Sequence, residues 1–284
     1  MSGPVLSREE LTVWSGYIHE ICGVFLDHSK GYLIESRLGD LLRETGSGSF
    51  AELLSRVRAD LTHALRRKVI DAITTNETSF FRDAAPFELL RHKLIPELIS
   101  RRNNRIGQRP APIRIWSAAC STGQEPYSIA IVLKETLGDF GGYDIRILGT
   151  DISDQAIAQA SYAHFNRLDL DRGMTPIQLA RHFEPAGDRW KLLDELRAIV
   201  SFRRLNLLEP FAFPTPFDII FCRNIAIYFT TPDKIRLFRS IGRYLDPEGA
   251  LIIGSTESIA SLCPEFEPHR YLRAVFYRRR RNPS

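Results

Sequence analysis

The sequence lacks the features that direct a chain into or across a membrane. No uninterrupted apolar stretch in its 284 residues approaches the roughly 18–20 residues that a membrane span requires. The opening residues, MSGPVLSREE, have neither the basic start nor the apolar run of a secretory signal. We therefore expect a cytoplasmic protein without membrane insertion.

Cysteine is scarce and is not arranged for metal or redox chemistry. Cys22, Cys120, Cys222 and Cys263 lie far apart and form no Cys-x-x-Cys pair, so we expect reduced, mostly buried thiols and no metal site. The seven histidines are scattered, and no His/Asp or Cys/His arrangement typical of nucleophilic catalysis is evident.

The charge balance excludes little by itself. A formal net charge of +4 is too small to require a nucleic acid partner, and we expect none. Much of the excess lies in Arg278–Arg281 near the end, which we expect to form a solvated tail. Docking of an acidic partner by this tail is the alternative interpretation.

The first third of the sequence has helical patterns and no strand signal. Two predicted capping boxes, Ser7 with Glu10 and Ser49 with Glu52, each precede apolar residues at one-face helical spacing. Two further amphipathic stretches complete a set of four short helices. We expect residues 1–75 to form a small all-helical domain.

Residues 76–110 connect this domain to the rest of the chain. They begin inside the string TTNETSFFRD (residues 74–83), which sets polar side chains around two phenylalanines. The helix AAPFELLRHKLIPELISRR follows and is predicted to kink at Pro96. The loop NNRIGQRPAP then marks a change of pattern.

Strands and helices alternate over residues 111–284. The predicted strands are IRIWSAA, DIRILGTDI, IVSFRRLNLL, FDIIFCRN and GALIIGSTES, with helical patterns between them. This alternation favours an α/β domain with a parallel sheet wrapped by helices. Residues 166–198 fit the alternation poorly and are predicted to form a small inserted subdomain.

Informative residues follow the predicted strands, because ligands of open parallel sheets bind beyond the carboxyl ends of the strands. Gly123, after the first strand, allows close approach of the backbone to a ligand. Asp151 ends the second strand, where it could accept hydrogen bonds from ribose hydroxyls or simply cap the next helix. Glu125 would repel a pyrophosphate, and the Gly-x-Gly-x-x-Gly fingerprint is absent. The pattern therefore favours a cationic, phosphate-free nucleoside such as S-adenosylmethionine over NAD.

Five strings resemble, in register, the motif series of the CheR family of chemotaxis receptor methyltransferases: TTNETSFFRD, IRIWSAACSTGQEPYSIAI, GTDIS, LNLLEP and FDIIFCRNIAIYF. The resemblance covers nearly the whole chain. It implies a Rossmann-like S-adenosylmethionine-dependent methyltransferase sheet behind the helical domain. It also implies methylation of glutamate side chains on chemoreceptor cytoplasmic helices, with S-adenosylhomocysteine and a glutamate methyl ester as products.

The resemblance further implies the site residues. Arg82 and Tyr228 are the expected catalytic residues. The expected cofactor-binding residues are Asn76, Thr78, Arg82, Glu125, Asp151, Asn206, Leu207, Arg223 and Asn224. For Leu207 and Tyr228, plain packing is the alternative.

We expect residues 74–83 to form a lid over the cofactor. In an extended chain Asn76 and Thr78 project to the same side, and a helical turn after Thr78 would return Arg82 to that side. Phe80 and Phe81 would anchor this lid between the two domains.

The resemblance says less about partners. A basic face of the helical domain would dock acidic receptor helices, with a solvated mixed surface as the alternative; the available side chains are Arg37, Arg43, Arg56, Arg58, Arg66 and Arg67. Some family members also bind a receptor's C-terminal peptide through a small β-subdomain. The matching string FEPAGDRWKLLDEL is short and has only Gly187 for its turn, so we expect no pentapeptide tether, and we expect a monomer.

The sequence is also compatible with two other functions. One is a non-enzymatic adaptor that binds S-adenosylmethionine and signals by docking. The other is a methyltransferase for another protein or for nucleic acid. An enzyme that methylates the amino group of adenine would need an Asn/Asp-Pro-Pro-Tyr/Phe loop after the fourth strand. The string CRNIAIYF does not match this loop.

Overall fold

The structure is a computed structural model, which describes residues 5–103 and 112–280. Most of the predicted loop NNRIGQRPAP and Arg281 of the expected tail lie outside the described residues. The helices and strands are labelled α1 to α12 and β1 to β10 in chain order.

Four helices with a core of their own make up the N-terminal part: Arg8–Cys22 (α1), Gly31–Glu44 (α2), Phe50–Ala59 (α3) and Ala64–Ile73 (α4). The predicted capping box of Ser7 and Glu10 is present at α1. Only one of the two hydrogen bonds of the second predicted capping box is present. Ser49 accepts a hydrogen bond from the Glu52 backbone, but the Glu52 carboxylate accepts from Gly48 instead of Ser49.

The connecting helix is irregular just before its proline. Ala84–Leu89 (α5) continues through a π-helical turn, Leu90–Leu94, into Ile95–Asn103 (α6). Pro96 therefore directly follows a π-helical turn, and such a wider turn in a helix can accommodate a residue that lacks an N–H. Near the position of the predicted kink, the helix contains a wider, π-helical turn just before the proline.

A seven-stranded sheet with the order β6-β2-β1-β7-β8-β10-β9 forms the second core. Its parallel strands are Ile113–Ala118 (β1), Ile145–Asp151 (β2), Val200–Arg204 (β6), Phe217–Cys222 (β7) and Leu245–Ile253 (β8). The predicted Rossmann-like α/β class is confirmed. The helices Gln124–Leu137 (α7), Asp154–Tyr162 (α8) and Thr231–Gly242 (α12) connect these strands. Strands β2 and β6 lie on one side of β1, and β7 and β8 lie on the other. The strand order therefore reverses between β1 and β7.

The last two strands were not predicted. Phe266–Tyr271 (β9) and Ala274–Arg279 (β10) form an antiparallel hairpin, with β10 next to β8. The expectation of a solvated tail is therefore wrong for Arg278 and Arg279, which belong to β10. Arg278 also pairs with Glu97 of α6 at 2.7 Å.

A second, three-stranded antiparallel sheet lies between β2 and β6 in the chain. Its strands are His164–Phe165 (β3), Phe183–Ala186 (β4) and Arg189–Leu192 (β5), in the order β3-β5-β4. The short helices Arg167–Asp171 (α9), Pro176–His182 (α10) and Asp194–Arg197 (α11) accompany it. Gly187, with φ of 66°, makes the tight turn between β4 and β5.

In the described part of the chain, none of the helices combines the length and the apolar character that crossing a bilayer requires.

Candidate active site and cofactor cavity

A cavity lies at the carboxyl ends of β1, β2 and β7, where the strand order reverses. The N-terminal helical part closes its other side with Phe25 and Leu33. The structure brings all the predicted site residues to this one cavity. They are Asn76, Thr78, Arg82, Glu125, Asp151, Asn206, Leu207, Arg223, Asn224 and Tyr228.

The turn after β1 adopts an unusual backbone. Ala119, Ser121 and Gly123 have φ values of 62°, 50° and 96°, in the left-handed region that side chains other than glycine rarely adopt. At Gly123 a Cβ would also lie 3.0 Å from the Cβ of Ala160 in α8. Such strain persists where neighbouring contacts fix the chain, which is common at binding sites.

Asp151 makes one of the contacts that fix the turn after β1. Its carboxylate accepts hydrogen bonds from the backbone of Ser121 at 2.8 Å and of Ser153 at 3.0 Å. Burial raises the pKa of Asp151, and these two hydrogen bonds oppose the increase. The alternative role of Asp151 was to cap the next helix. Ser153 has that role instead, because its hydroxyl caps α8. A carboxylate has about four acceptor positions, so Asp151 can also accept from a ligand.

Glu125 and Arg223 form a buried ion pair in the cavity wall. Arg223 Nη1 donates to Glu125 Oε2 at 2.9 Å, and the Ser117 hydroxyl donates to Glu125 Oε1 at 2.7 Å. The Arg223 side chain is only 2% exposed. Its other terminal nitrogen, Nη2, donates to the Arg82 carbonyl and to Asp83. Arg223 therefore holds parts of the wall together in addition to lining the cavity.

The lid, residues 74–83, runs along the cavity without the predicted helical turn after Thr78. Phe81 and Asp83 have φ values of 49° and 56°, so the chain reverses through two left-handed residues. Arg82 nevertheless lines the cavity, and its Nη1 donates to the Glu77 carbonyl at 2.8 Å. The Ser121 hydroxyl donates to the Asn76 carbonyl at 3.1 Å, which fastens the start of the lid.

The two phenylalanines anchor the lid on the sheet side only. Phe80 is fully buried and packs edge-on against Phe165 of β3 and Phe183 of β4. Phe81 packs against Phe87 of α5. The predicted anchoring between the two domains is therefore wrong, because the reversal turns both rings toward the core of the sheet and the small sheet.

The predicted strand IVSFRRLNLL ends at Arg204, so Asn206 and Leu207 lie in the following loop. Asn206 Nδ2 donates to the Ile21 carbonyl of α1 at 3.1 Å, which ties the helical part to the sheet. Leu207 is 8% exposed and belongs to the core beside β7, yet it also lines the cavity. Packing and lining are compatible at this position.

Asn224 and Tyr228 follow β7. Asn224 has a left-handed backbone with φ of 58°, and its N–H donates to Glu257 at 2.9 Å. Tyr228 ends a 3₁₀ turn, Ala226–Tyr228, and its carbonyl accepts a hydrogen bond from Phe25 of the helical part at 2.9 Å. The half-buried tyrosine ring thus lies at the junction of the two parts of the chain.

Sequence reasoning missed several lining residues of the helical part, among them Phe25, Lys30 and Arg37. The sequence suggests Arg37 only for receptor docking, but it donates to the Ile73 carbonyl and to Thr75 beside the lid. A pattern within α2 does not reveal this, because the cavity forms only when the helical part packs on the sheet.

The arginines suggested for a basic face divide into two groups. Arg37, Arg66 and Arg67 are half-buried, and the last two pair with Glu209 and Asp154 of the sheet part. The exposed ones are Arg43, Arg56 and Arg58. The four cysteines are free and buried, as predicted. Among the residues described, no group of acidic, His and Cys side chains could hold a metal ion.

Comparison with known proteins gives two matches to one family. A family model described as the CheR methyltransferase SAM binding domain matches residues 76–272. A second, described as the CheR methyltransferase all-alpha domain, matches residues 9–74.

Individual relatives agree with these matches. Chemotaxis protein methyltransferase Cher2 of Pseudomonas putida is 40% identical over 256 residues, covering 88% of this chain and 90% of that protein. The chemotaxis protein methyltransferase of Vibrio parahaemolyticus is 38% identical over 281 residues, covering 98% and 99%. Chemotaxis protein methyltransferase 1 of Pseudomonas aeruginosa is 38% identical over 267 residues, covering 92% and 94%. The chain therefore belongs to the CheR methyltransferase family and carries its S-adenosylmethionine-binding domain.

Proposed function

We propose that this protein transfers a methyl group from S-adenosylmethionine to glutamate side chains on the cytoplasmic helices of chemoreceptors, giving glutamate methyl esters. The observation that carries the proposal is the cavity at the reversal of strand order, closed by the helical part and lined by Asp151 and Glu125. The names of the relatives, which are chemotaxis protein methyltransferases, support a receptor as the substrate.

The residues around the cavity fit S-adenosylmethionine. Asp151 keeps acceptor positions for ribose hydroxyls, and Glu125 offers negative charge to an ammonium group. Asn206 and the apolar Leu207 suit the adenine ring. Arg82 suits the methionyl carboxylate, because a guanidinium can form paired hydrogen bonds with it.

We propose supporting roles for the other residues that line the cavity. Asn76 and Thr78 present polar groups of the lid to the cofactor. Arg223 and Asn224 form the wall after β7. Arg223 acts there through Glu125, because both of its terminal nitrogens already donate to protein groups.

When bound, S-adenosylmethionine supplies the methyl group, whose bond to sulfur breaks as a bond to the receptor carboxylate oxygen forms, with the electron pair left on sulfur. No proton moves, because a glutamate with its reference pKa of about 4.3 is already ionised at neutral pH. The residues of this chain therefore need to orient the reactants and exclude water, without a general base. We assign the orientation of the receptor carboxylate to Arg82 and Tyr228.

The proposed receptor docking uses the exposed arginines Arg43, Arg56 and Arg58 of the helical part. Exposed charges are screened by salt, so this contact should be weak and fast, and should weaken further as salt is added. The reaction would take place in the cytoplasm, where the receptor helices lie, and the protein would act as a monomer.

We further propose that the protein does not bind a receptor's C-terminal pentapeptide. The hairpin of β4 and β5 has four residues on each strand and a two-residue turn at Gly187 and Asp188. Fluorescence anisotropy with a labelled pentapeptide should show no saturable binding at micromolar protein. Micromolar affinity would contradict this part of the proposal.

Methyl transfer can be tested directly with radiolabelled S-adenosylmethionine and cytoplasmic fragments of chemoreceptors. We expect label on the fragment that is released as methanol by mild base, as a carboxyl ester requires. Binding of the cofactor without transfer would favour the adaptor alternative. Base-stable label, or label on nucleic acid, would favour a different methyltransferase.

A further inference from the structure

One acidic side chain outside the predicted site is connected to the cofactor cavity through an arginine. Asp83 Oδ2 accepts a hydrogen bond from Arg223 Nη2 at 2.9 Å, and the Arg82 carbonyl accepts from the same nitrogen at 2.7 Å. Arg223 Nη1 donates to Glu125 at 2.9 Å. A single guanidinium thus joins the end of the lid to a carboxylate that lines the cavity.

The backbone of Asp83 depends on this contact. Its φ of 56° and ψ of 87° lie in a region that residues other than glycine seldom occupy. Phe81, two residues earlier, also has a positive φ, so strained residues flank Arg82 on both sides. Strain of this kind persists only where other contacts fix it. The pair of Asp83 with Arg223 is such a contact.

The charges of the cavity lining show what one more acid contributes. Four lining side chains are basic, namely Lys30, Arg37, Arg82 and Arg223. Three are acidic, namely Glu77, Glu125 and Asp151.

The lining alone thus has an excess of one positive charge, which disfavours a cation. Arg223 is the basic group most withdrawn from water, with 2% of its side chain exposed, so solvent screens its charge little. It would neutralise Glu125 if it had no other partner. Asp83 stands behind the lining with 39% of its side chain exposed, and it supplies a second carboxylate that contacts the buried guanidinium directly, at 2.9 Å.

We propose that Asp83 is a positioning residue that raises the affinity of the cavity for the cationic cofactor relative to its affinity for the neutral product. By pairing with Arg223 it leaves the negative charge of Glu125 effective toward a ligand, and it holds the end of the lid at Arg82. S-adenosylmethionine and S-adenosylhomocysteine differ by one positive charge at sulfur, so the field of Asp83 acts on the difference between them. The inference rests on the proposed function only in taking S-adenosylmethionine as the ligand.

Isothermal titration calorimetry of the full chain with each of the two ligands tests this inference. Asp83→Asn keeps the size of the side chain and its tolerance of a left-handed backbone, and removes the charge. We expect the Kd of S-adenosylmethionine to rise about tenfold and that of S-adenosylhomocysteine by less than about threefold, because the charged ligand feels the lost field most. Asp83→Glu, which restores the charge, should return the ratio of the two Kd values most of the way to that of wild type.

A purely structural role would weaken both ligands equally. An unchanged ratio of the two Kd values in Asp83→Asn, with or without weaker binding, would therefore overturn the inference. Glu88→Gln is the matched control, since Glu88 is an exposed acid of α5 that pairs with His92 away from the cavity. Wild-type protein that binds neither ligand would refute the cofactor itself. The measurement contains no receptor, so failure of receptor methylation would be seen separately.

Discussion

Gly173 lies directly against the backbone carbonyl oxygen of Phe80, so closely that a Cβ on Gly173 would overlap this oxygen. The glycine thus provides room for the lid to approach the segment between α9 and α10. The neighbouring Arg172 pairs with Glu77 of the lid at 3.2 Å. The region of the small sheet therefore supports the lid from behind, although Gly173 does not line the cofactor cavity.

Gly173→Ala should displace the lid and weaken cofactor binding. The added methyl group meets backbone, which cannot rotate away, so we expect a loss of about 1–3 kcal/mol in the free energy of unfolding. We expect the Kd of S-adenosylmethionine to rise about fivefold by calorimetry, from a shift of the lid worth about 1 kcal/mol. Gly187→Ala is the control: it strains the β4–β5 turn but its Cβ meets no atom within 4 Å. Equal binding by Gly173→Ala and wild type would contradict a supporting role for this segment.

Arg82→Ala should weaken S-adenosylmethionine binding at least about tenfold, because a charge-assisted hydrogen bond contributes about 1.5–3 kcal/mol. Calorimetry measures the effect. The control is Arg146→Ala, which removes an exposed arginine of β2 that pairs with Asp144 away from the cavity. If Arg82→Ala binds the cofactor as tightly as wild type, the lid does not contact it in the proposed way.

Tyr228→Phe should slow turnover while leaving cofactor binding intact. The ring that packs at the junction stays, and only the hydroxyl that we assign to the receptor carboxylate is lost. We expect kcat for receptor methylation to fall about tenfold, the effect of one hydrogen bond to a charged group. The Kd of S-adenosylmethionine should change less than about twofold. Tyr162→Phe, at an exposed tyrosine stacked on His164, is the control. A normal kcat in Tyr228→Phe would leave this residue with a packing role.

Glu135 of α7 should contribute strongly to stability. Its carboxylate contacts Arg91 at 2.5 Å and His182 at 3.2 Å, and so joins the connecting helix to α10. Glu135→Ala should cost about 2–3 kcal/mol in chemical denaturation, because it leaves a mostly buried arginine without this partner. Glu195→Ala, which removes a more exposed pair with Lys134, should cost less than about 1 kcal/mol.

The same carboxylate predicts a pH dependence. Burial alone would raise the pKa of Glu135, but hydrogen bonds from Arg91 and His182 hold the pKa below its usual value of 4.5. Its contribution to stability is therefore complete above pH 4.5 and is lost as the pH falls through the lower folded-state pKa. The stability difference between wild type and Glu135→Ala should shrink as the pH falls below this value. A difference that stays constant down to pH 3, about 1.5 units below the usual value of 4.5, would contradict the assignment.

The two central strands β1 and β7 were predictable because they are mostly apolar and buried on both faces, as in β7, where all six residues are buried. The antiparallel hairpin was not predictable in this way. Three of the six residues of β9 are exposed, and Glu267, His269 and Arg270 introduce charged and polar side chains into it. The pairing of β10 with β8 depends on a contact between distant parts of the chain, which leaves little trace in either strand alone.

The path of the lid could not be predicted from the local geometry of the chain alone. The polar residues of the lid do reach the cavity, because they are adjacent in the chain and the segment is short. The route is different, since the predicted helical turn is replaced by left-handed residues at Phe81 and Asp83. Those conformations are stabilised by Arg223, about 140 residues later in the sequence, and by the core around Phe80.

The sequence by itself determined the two-part α/β architecture, the family and the residues that reach the cavity from the strand ends, because strand periodicity and motif spacing are local properties of a chain. Tertiary structure alone decided that Phe25, Lys30 and Arg37 complete the cavity and that Asp83 stands behind Arg223. These contacts join residues remote in sequence, and their free energy exists only when both partners are packed and withdrawn from water.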